Sequence, residues 1–254
     1  AEVDRHFDLN ESFASLLGYY AAEGFTRRES GSLYQTTICI PDDSARADII
    51  ETFAATLGVD AYEENEWKIT VSSRLVATLF TDVFEAGCKA EDKRIPDCMF
   101  GAPKGILRAF LAAYFAGDGS ASADRVEIRA HTVSDELKTD LQSALKRFGI
   151  SVKCYEETRV PSTGAVAEFY DDHTLTFTSW VLKITSEHAV TFAEQVGFDL
   201  PRKQTQLENS ISSVETRSQR LLGDGGDVWL DEVVSVEYVE TTVDHTYCLT
   251  VEDT

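Results

Sequence analysis

Two acidic residues each stand directly before a glycine: Glu23 precedes Gly24 and Asp118 precedes Gly119, each at the end of an apolar run, Phe13 to Ala22 and Ala109 to Gly117. Within these runs small residues recur four apart, Gly18 with Ala22 and Ala113 with Gly117. That spacing puts them on one face of a helix and lets two backbones approach closely. If the two helices meet on those faces, Glu23 and Asp118 end side by side. The arrangement is unfavourable alone: a carboxylate at a helix C-terminus meets the negative end of the macrodipole, and a second carboxylate adds repulsion. A divalent cation removes both problems, and hard oxygen ligands with an otherwise wet shell suit Mg²⁺, with Mn²⁺ as a substitute. Two lysines join the pattern, Lys93 six residues past Gly87 and Lys203 six residues past Gly197. Paired carboxylates, a metal and a lysine from each half are the ingredients of phosphodiester hydrolysis. The plainer alternative is that each carboxylate merely ends a helix before a capping glycine. It accounts for one such site more readily than for two at the same place in a repeat.

The elements that must position these residues also come in two copies. After each acid and glycine comes a β-patterned stretch, Leu33 to Ile40 and Arg125 to Thr132. An amphipathic helix succeeds each, ending in Leu57-Gly58-Val59 and Phe148-Gly149-Ile150, with the glycine expected as C-cap. Further strands begin at Trp67 and Val181, and the helices Arg74 to Ala86 and Glu187 to Val196 stop at Gly87 and Gly197. The fold class is α+β, built from two pseudo-symmetric αββαββα halves at about 13–100 and 106–207, the second with a longer hairpin from Tyr155 to Thr178. This region, 1–222, is followed by a glycine-rich break at 223–227 and then by β-patterned stretches in 228–254 that belong to a separate unit.

Composition sets the outer limits. The chain has 254 residues, 23 Lys plus Arg, 44 Asp plus Glu and a formal charge of −21, with 43% apolar residues. That is enough apolar material for a substantial core, so intrinsic disorder is not expected as the main state. At face value the charge argues against a nucleic-acid partner, but its distribution changes that. Residues 42–67 carry eight acids against Arg46 alone, a net of −7, and residues 223–254 carry nine acids and no base, a net of −9. The remainder is close to neutral. The acidity, with 14 Arg to 9 Lys, would suit a salt-loving, haloarchaeal cytoplasm. No apolar run is long enough to span a bilayer, so a soluble cytoplasmic protein without membrane contact is expected. Five scattered cysteines without a CxxC pair suggest reduced thiols rather than a zinc site. The start at Ala1 suggests a processed product or a fragment.

At this point the residues resemble a family, the LAGLIDADG (dodecapeptide) homing endonucleases in the form found inside inteins. LLGYYAAEG (16–24) and LAAYFAGDG (111–119) are similar to its two signature motifs, Asp92-Lys-Arg-Ile-Pro96 to the block ahead of the second motif, and Gly197-Phe-Asp-Leu-Pro-Arg-Lys-Gln204 to the block closing the second half. The resemblance implies that Glu23 and Asp118 are the catalytic metal ligands and that Lys93 and Lys203 support the attacking water. It departs in one respect, Glu23 standing where Asp is commoner. Residues 243–254 resemble the late splicing block of an intein, which makes 228–254 a partial splicing (Hint) segment, with Cys248 where inteins place the residue assisting C-terminal cleavage. The upstream splicing blocks and the terminal His-Asn lie outside this sequence, so the chain is not expected to splice alone. Implied partners are a long double-stranded DNA site and the host exteins; the protein is expected as a monomer with an internal pseudo-twofold. A decayed nuclease or a DNA-binding module without cleavage keeps the same fold.

In that family a curved sheet from each half faces the major groove. Arg125, Glu127, Arg129 and His131 alternate with Val126, Ile128 and Ala130, giving one polar, long-armed face. Arg and Glu are able to read guanine and cytosine edges. In the first half the candidates are Arg27, Arg28, Tyr34 and Thr36.

Overall fold

The computed structural model of the protein describes residues 8–159 and 177–213, with 235, 236 and 238 singly. The chain divides into two compact units, 1–219 and 220–254. The expected break at 223–227, the β-patterned stretch to Thr254 and Cys248 lie outside the described residues.

The first unit contains the expected repeat. Helix α1 (Glu11–Glu23) is followed by strands β1 (Gly24–Glu29) and β2 (Ser32–Cys39), helix α2 (Asp43–Leu57), strands β3 (Tyr62–Asn65) and β4 (Lys68–Val71) and helix α3 (Arg74–Thr78), which continues as a π-helical turn, Leu79–Val83. A short linker with a 3₁₀ turn at Ala90–Asp92 and helix α4 (Asp97–Gly101) leads to the second half. There helix α5 (Lys104–Asp118) precedes strands β5 (Ser120–Ala121) and β6 (Glu127–Thr132), helix α6 (Asp135–Lys146), strands β7 (Lys153–Arg159) and β8 (Phe177–Thr185), and helices α7 (Glu187–Gln195) and α8 (Pro201–Ser213). The two four-stranded sheets share one topology, β1-β2-β4-β3 and β5-β6-β8-β7, with every pairing antiparallel.

Local chemistry sets the helix starts. Asn10 Oδ1 accepts from Phe13 N at 2.9 Å, Asp42 Oδ1 from Ala45 N at 3.1 Å and Ser134 Oγ from Leu137 N at 3.1 Å, each satisfying a first-turn amide. Gly87 and Gly197 come after the two closing helices at φ 82° and 74°, where a side chain is strained; a Cβ at Gly87 would also lie 2.2 Å from Asp92 O. Both turns therefore release the chain at the angle that brings Lys93 and Lys203 back. Three strand starts differ from the sequence pattern: the strand expected from Val181 already begins at Phe177. Trp67 sits in the β3–β4 turn, 56% exposed, and Arg125 lies in a bend two residues ahead of β6.

The core is continuous across the two halves. The motif helices α1 and α5 pack against each other at its centre, and each half adds edge-on aromatic pairs, Tyr20 on Phe80 at 4.8 Å in the first and Phe115 on Phe192 at 4.9 Å in the second.

Candidate active site at the ends of the motif helices

Helices α1 and α5 approach as closely as their backbones allow. A Cβ at Gly18 would stand 2.2 Å from Phe110 O and one at Gly117 would stand 2.6 Å from Ala22 Cβ. The expected small-residue faces are thus the contact surface. Their C-termini deliver Glu23 and Asp118 to one cavity of about 450 Å³, which Lys93, His131 and Ser179 also line. A second cavity, of about 300 Å³, lies beside Glu23 with Lys203, Arg202 and Asp42 in its wall. Glu23 borders both, as does the thiol-bearing Cys39.

The electrostatics arise from burial and proximity. Burial pushes the Glu23 carboxyl up, against a downward pull from Lys203. Asp118 is held well above the carboxylate range, first by burial and then by the charge of Glu23, with Lys203 and Lys93 opposing. Lys93 is 2% exposed, and burial holds its amine well below the ordinary lysine range. Its Nζ donates to Tyr20 O at 2.8 Å and lies 3.3 Å from the centroid of the Tyr20 ring. Lys203 Nζ donates to three carbonyls at the end of α5, Ala116 at 2.6 Å, Gly117 at 3.0 Å and Gly119 at 2.6 Å. Each lysine therefore sits at the negative end of its own half's motif helix, where a cation offsets the macrodipole.

The donor set fits a hydrated divalent cation. Two hard carboxylates whose charges repel in a half-buried site gain from a bound cation, and Mg²⁺ keeps several waters when only one or two carboxylates hold it. An ion caged wholly by side chains does not fit, because among the described residues no group of three or more His, Cys, Asp or Glu is placed to hold one. The hydroxyl of Tyr114, fully buried beside this site, has no hydrogen-bond partner, and burial together with the charges of Asp118 and Glu23 holds it well above the usual tyrosine range.

Around the site the two sheets present polar outer faces. On the second sheet, Arg129 pairs with Lys183 and Lys183 with Lys153, so three cations cross three strands in one row, with His131 on the same face. Glu127, 6% exposed, is engaged at 2.5 Å by both Arg129 and Lys183 and is not available to a base edge. Arg125 is exposed in the bend before the strand. On the first sheet Arg27 faces outward opposite Gln35 and lies 5.7 Å over the Phe25 ring. A register shift between Arg27 and Arg28 leaves exposed Arg28 opposite Leu33 and Tyr34 at the bulge, 37% exposed. Thr36 points into the core at 1% exposure, a correction to its place among the outward candidates. The sequence pattern alone does not single out Lys153 and Lys183, since cross-strand partners are set by register rather than by local spacing.

Comparison with known proteins agrees with this architecture. Residues 105–197 match the family model described as LAGLIDADG-like domain. The chain is 28% identical to the DNA polymerase II large subunit of Haloquadratum walsbyi over 99% of its own length and 12% of that protein's. It is also 27% identical to the DNA-directed RNA polymerase subunit Rpo1C of Methanocaldococcus jannaschii, over 84% of its own length and 22% of that protein's. The chain thus spans only a small part of either relative. The solved homing endonuclease I-DmoI, in complex with DNA and Ca, superposes with a TM-score of 0.52 at 14% identity, covering 79% of this chain and 98% of the other. The fold is that of the LAGLIDADG homing endonucleases.

Proposed function

We propose that the protein is a site-specific, Mg²⁺-dependent double-strand DNA endonuclease carried within an intein, cutting the allele that lacks the insertion. The observation that carries this reading is the convergence of Glu23, Asp118 and Lys93 on one cavity, with Lys203 beside Glu23, below two outward polar sheets. The intein setting is supported by the matches: nearly the same chain corresponds to small parts of two proteins with different tasks, a DNA polymerase and an RNA polymerase subunit, as an inserted element would. The likeness to a Haloquadratum walsbyi protein and the charge of −21 support a haloarchaeal cytoplasmic origin.

In this reading Glu23 and Asp118 hold the metal, which when bound activates water and stabilises the leaving 3′ oxygen. Lys93, drawn toward its neutral form by burial, is suited to take a proton from water entering the cavity. Lys203, whose three N–H donors are taken by three carbonyls, sets a fixed positive charge beside Glu23. Arg27, Arg28, Tyr34, Arg125, Arg129 and His131, joined by Lys153 and Lys183, are proposed to meet the DNA. Cys248 is proposed to assist cleavage at the C-terminal splice junction when the splicing unit is complete.

The test is linearisation of a supercoiled plasmid carrying the parent gene with the insertion excised, in Mg²⁺ and across a range of salt. Wild type is expected to give linear DNA, and Glu23→Gln or Asp118→Asn to slow it by on the order of 10² or more, the scale of losing a charge-stabilising group. Absence of cutting by wild type at every salt concentration rejects the nuclease reading.

A further inference from the structure

Lys93 belongs to the first half, yet the backbone around it is gripped by a helix of the second. Ser134 Oγ, 1% exposed at the start of α6, donates to Lys93 O at 2.6 Å while accepting from Leu137 N at 3.1 Å. Further along α6, Asp140 Oδ2 accepts from Ile95 N at 3.0 Å and faces the Arg94 guanidinium at 3.9 Å. Arg147, just beyond the helix, donates to Phe100 O at 2.9 Å and Ala102 O at 3.1 Å. The linker that carries Lys93 is thereby fastened along the length of α6. Ser134 N donates in turn to Thr132 Oγ1 at 3.1 Å, and Thr132 ends β6, the strand whose outer face bears Arg129 and His131. At the other end of this chain of bonds, Lys93 Nζ reaches Tyr20 O, three residues before Glu23.

We infer that Ser134 is a positioning residue for Lys93, tying the lysine of one half to the DNA-facing strand of the other. The inference rests on the proposed endonuclease function. A hydroxyl is suited to this place because it donates to one carbonyl and accepts from one amide at once. An alanine there loses both bonds, whereas threonine retains them. Because Lys93 lines the cavity that holds Asp118 together with Glu23, while Lys203 lines the second cavity, which holds Glu23 without Asp118, loosening Lys93 is expected to slow one of the two cuts more than the other.

Two measurements on the full chain test it. In the plasmid assay, Ser134→Ala is expected to accumulate nicked circles with the break confined to one strand, the second cut slowed about ten-fold or more, while Ser134→Thr stays within about three-fold of wild type. DNA affinity and thermal midpoint are read alongside. Equal slowing of both strands, a loss of affinity alone, or unchanged rates overturns the inference. The second measurement needs no DNA: acylation of amines by an activated ester, read by mass spectrometry with Lys203 as internal reference. Lys93 is expected to react slowly in wild type and about ten-fold faster in Ser134→Ala, since its burial depends on the clamp. Unchanged reactivity overturns the inference even if no plasmid is cut. Failure of wild type to cut, with Lys93 released in Ser134→Ala, rejects the nuclease reading and leaves the clamp standing.

Discussion

Asp118 is more favourable to hold as a neutral acid in the folded protein than in the unfolded chain, because it is buried and faces Glu23. The folded state therefore binds its proton more readily, so stability falls as pH rises from the ordinary carboxylate range through the raised folded value, and the deficit is complete above it. Asp118→Asn removes the deficit. In EDTA above that window the variant is expected to melt about 2 to 4 °C higher than wild type, the shift produced by on the order of 1 kcal/mol in a chain of this size. The difference should fade as pH drops to about 4, where an ordinary aspartate protonates. Added Mg²⁺ should raise the midpoint of wild type and leave the variant unmoved. A variant that melts lower in EDTA, or a difference independent of pH, contradicts this account by differential scanning calorimetry. Glu23, Asp118, Lys93 and Lys203 are legible in the sequence because a repeat displays them twice at matched offsets. Ser134 and Tyr114 are not, since a capping serine and a motif tyrosine look ordinary until their partners, or the lack of one, are seen in three dimensions.

At the scale of elements, the site depends on how near α1 and α5 come. Gly18 has Phe110 O where a Cβ would go, at 2.2 Å, an obstruction of backbone that no rotamer relieves. Gly18→Ala must push the helices apart and with them the two carboxylates. The expected cost is about 1 to 3 kcal/mol in urea unfolding, the range for overpacking, with cleavage falling further than the loss of folded protein explains. Wild-type stability in this variant would show that the contact is compliant. The order of elements and the helix faces are readable from the residues, where four-residue spacing and terminal glycines carry the information. Strand faces are less so. On β2 a register shift opposite Arg27 and Arg28 breaks the alternation, so Tyr34 and Thr36, two residues apart, do not share an outward face: Tyr34 is exposed at the bulge and Thr36 is buried. The strand starts expected at Trp67 and Arg125 are displaced for a related reason: β-propensity does not distinguish a residue in the turn from the first one paired.

For the whole molecule, the excess of acid has to be reconciled with the polyanionic partner proposed above. The acidic stretch at 42–67 is largely spent on α2 and the edge strand β3, where Glu63 pairs with Arg46 at 3.2 Å, although Glu64 does reach the outer face through Thr70 at 3.1 Å. The second sheet has the stronger claim on phosphate, with its row of Arg129, Lys183 and Lys153. Two of these cations are already engaged by Glu127, at 2.5 Å each, so few counterions remain to be released from DNA. Binding should therefore lean on base contacts and bound metal, with log K falling against log salt at a slope of roughly −4, shallow for a protein covering a long site. Exposed Lys153 at the end of the row separates this from a generic weak binder. Lys153→Gln is expected to lower the magnitude of the slope by about 0.9, the effect of one phosphate contact, while Lys183→Gln changes it by less because Glu127 already offsets that charge. Fluorescence anisotropy over a salt series checks both. Equal effects from the two substitutions would mean that Glu127 turns away on binding, and a steep wild-type slope would mean that cations outside these faces meet the DNA.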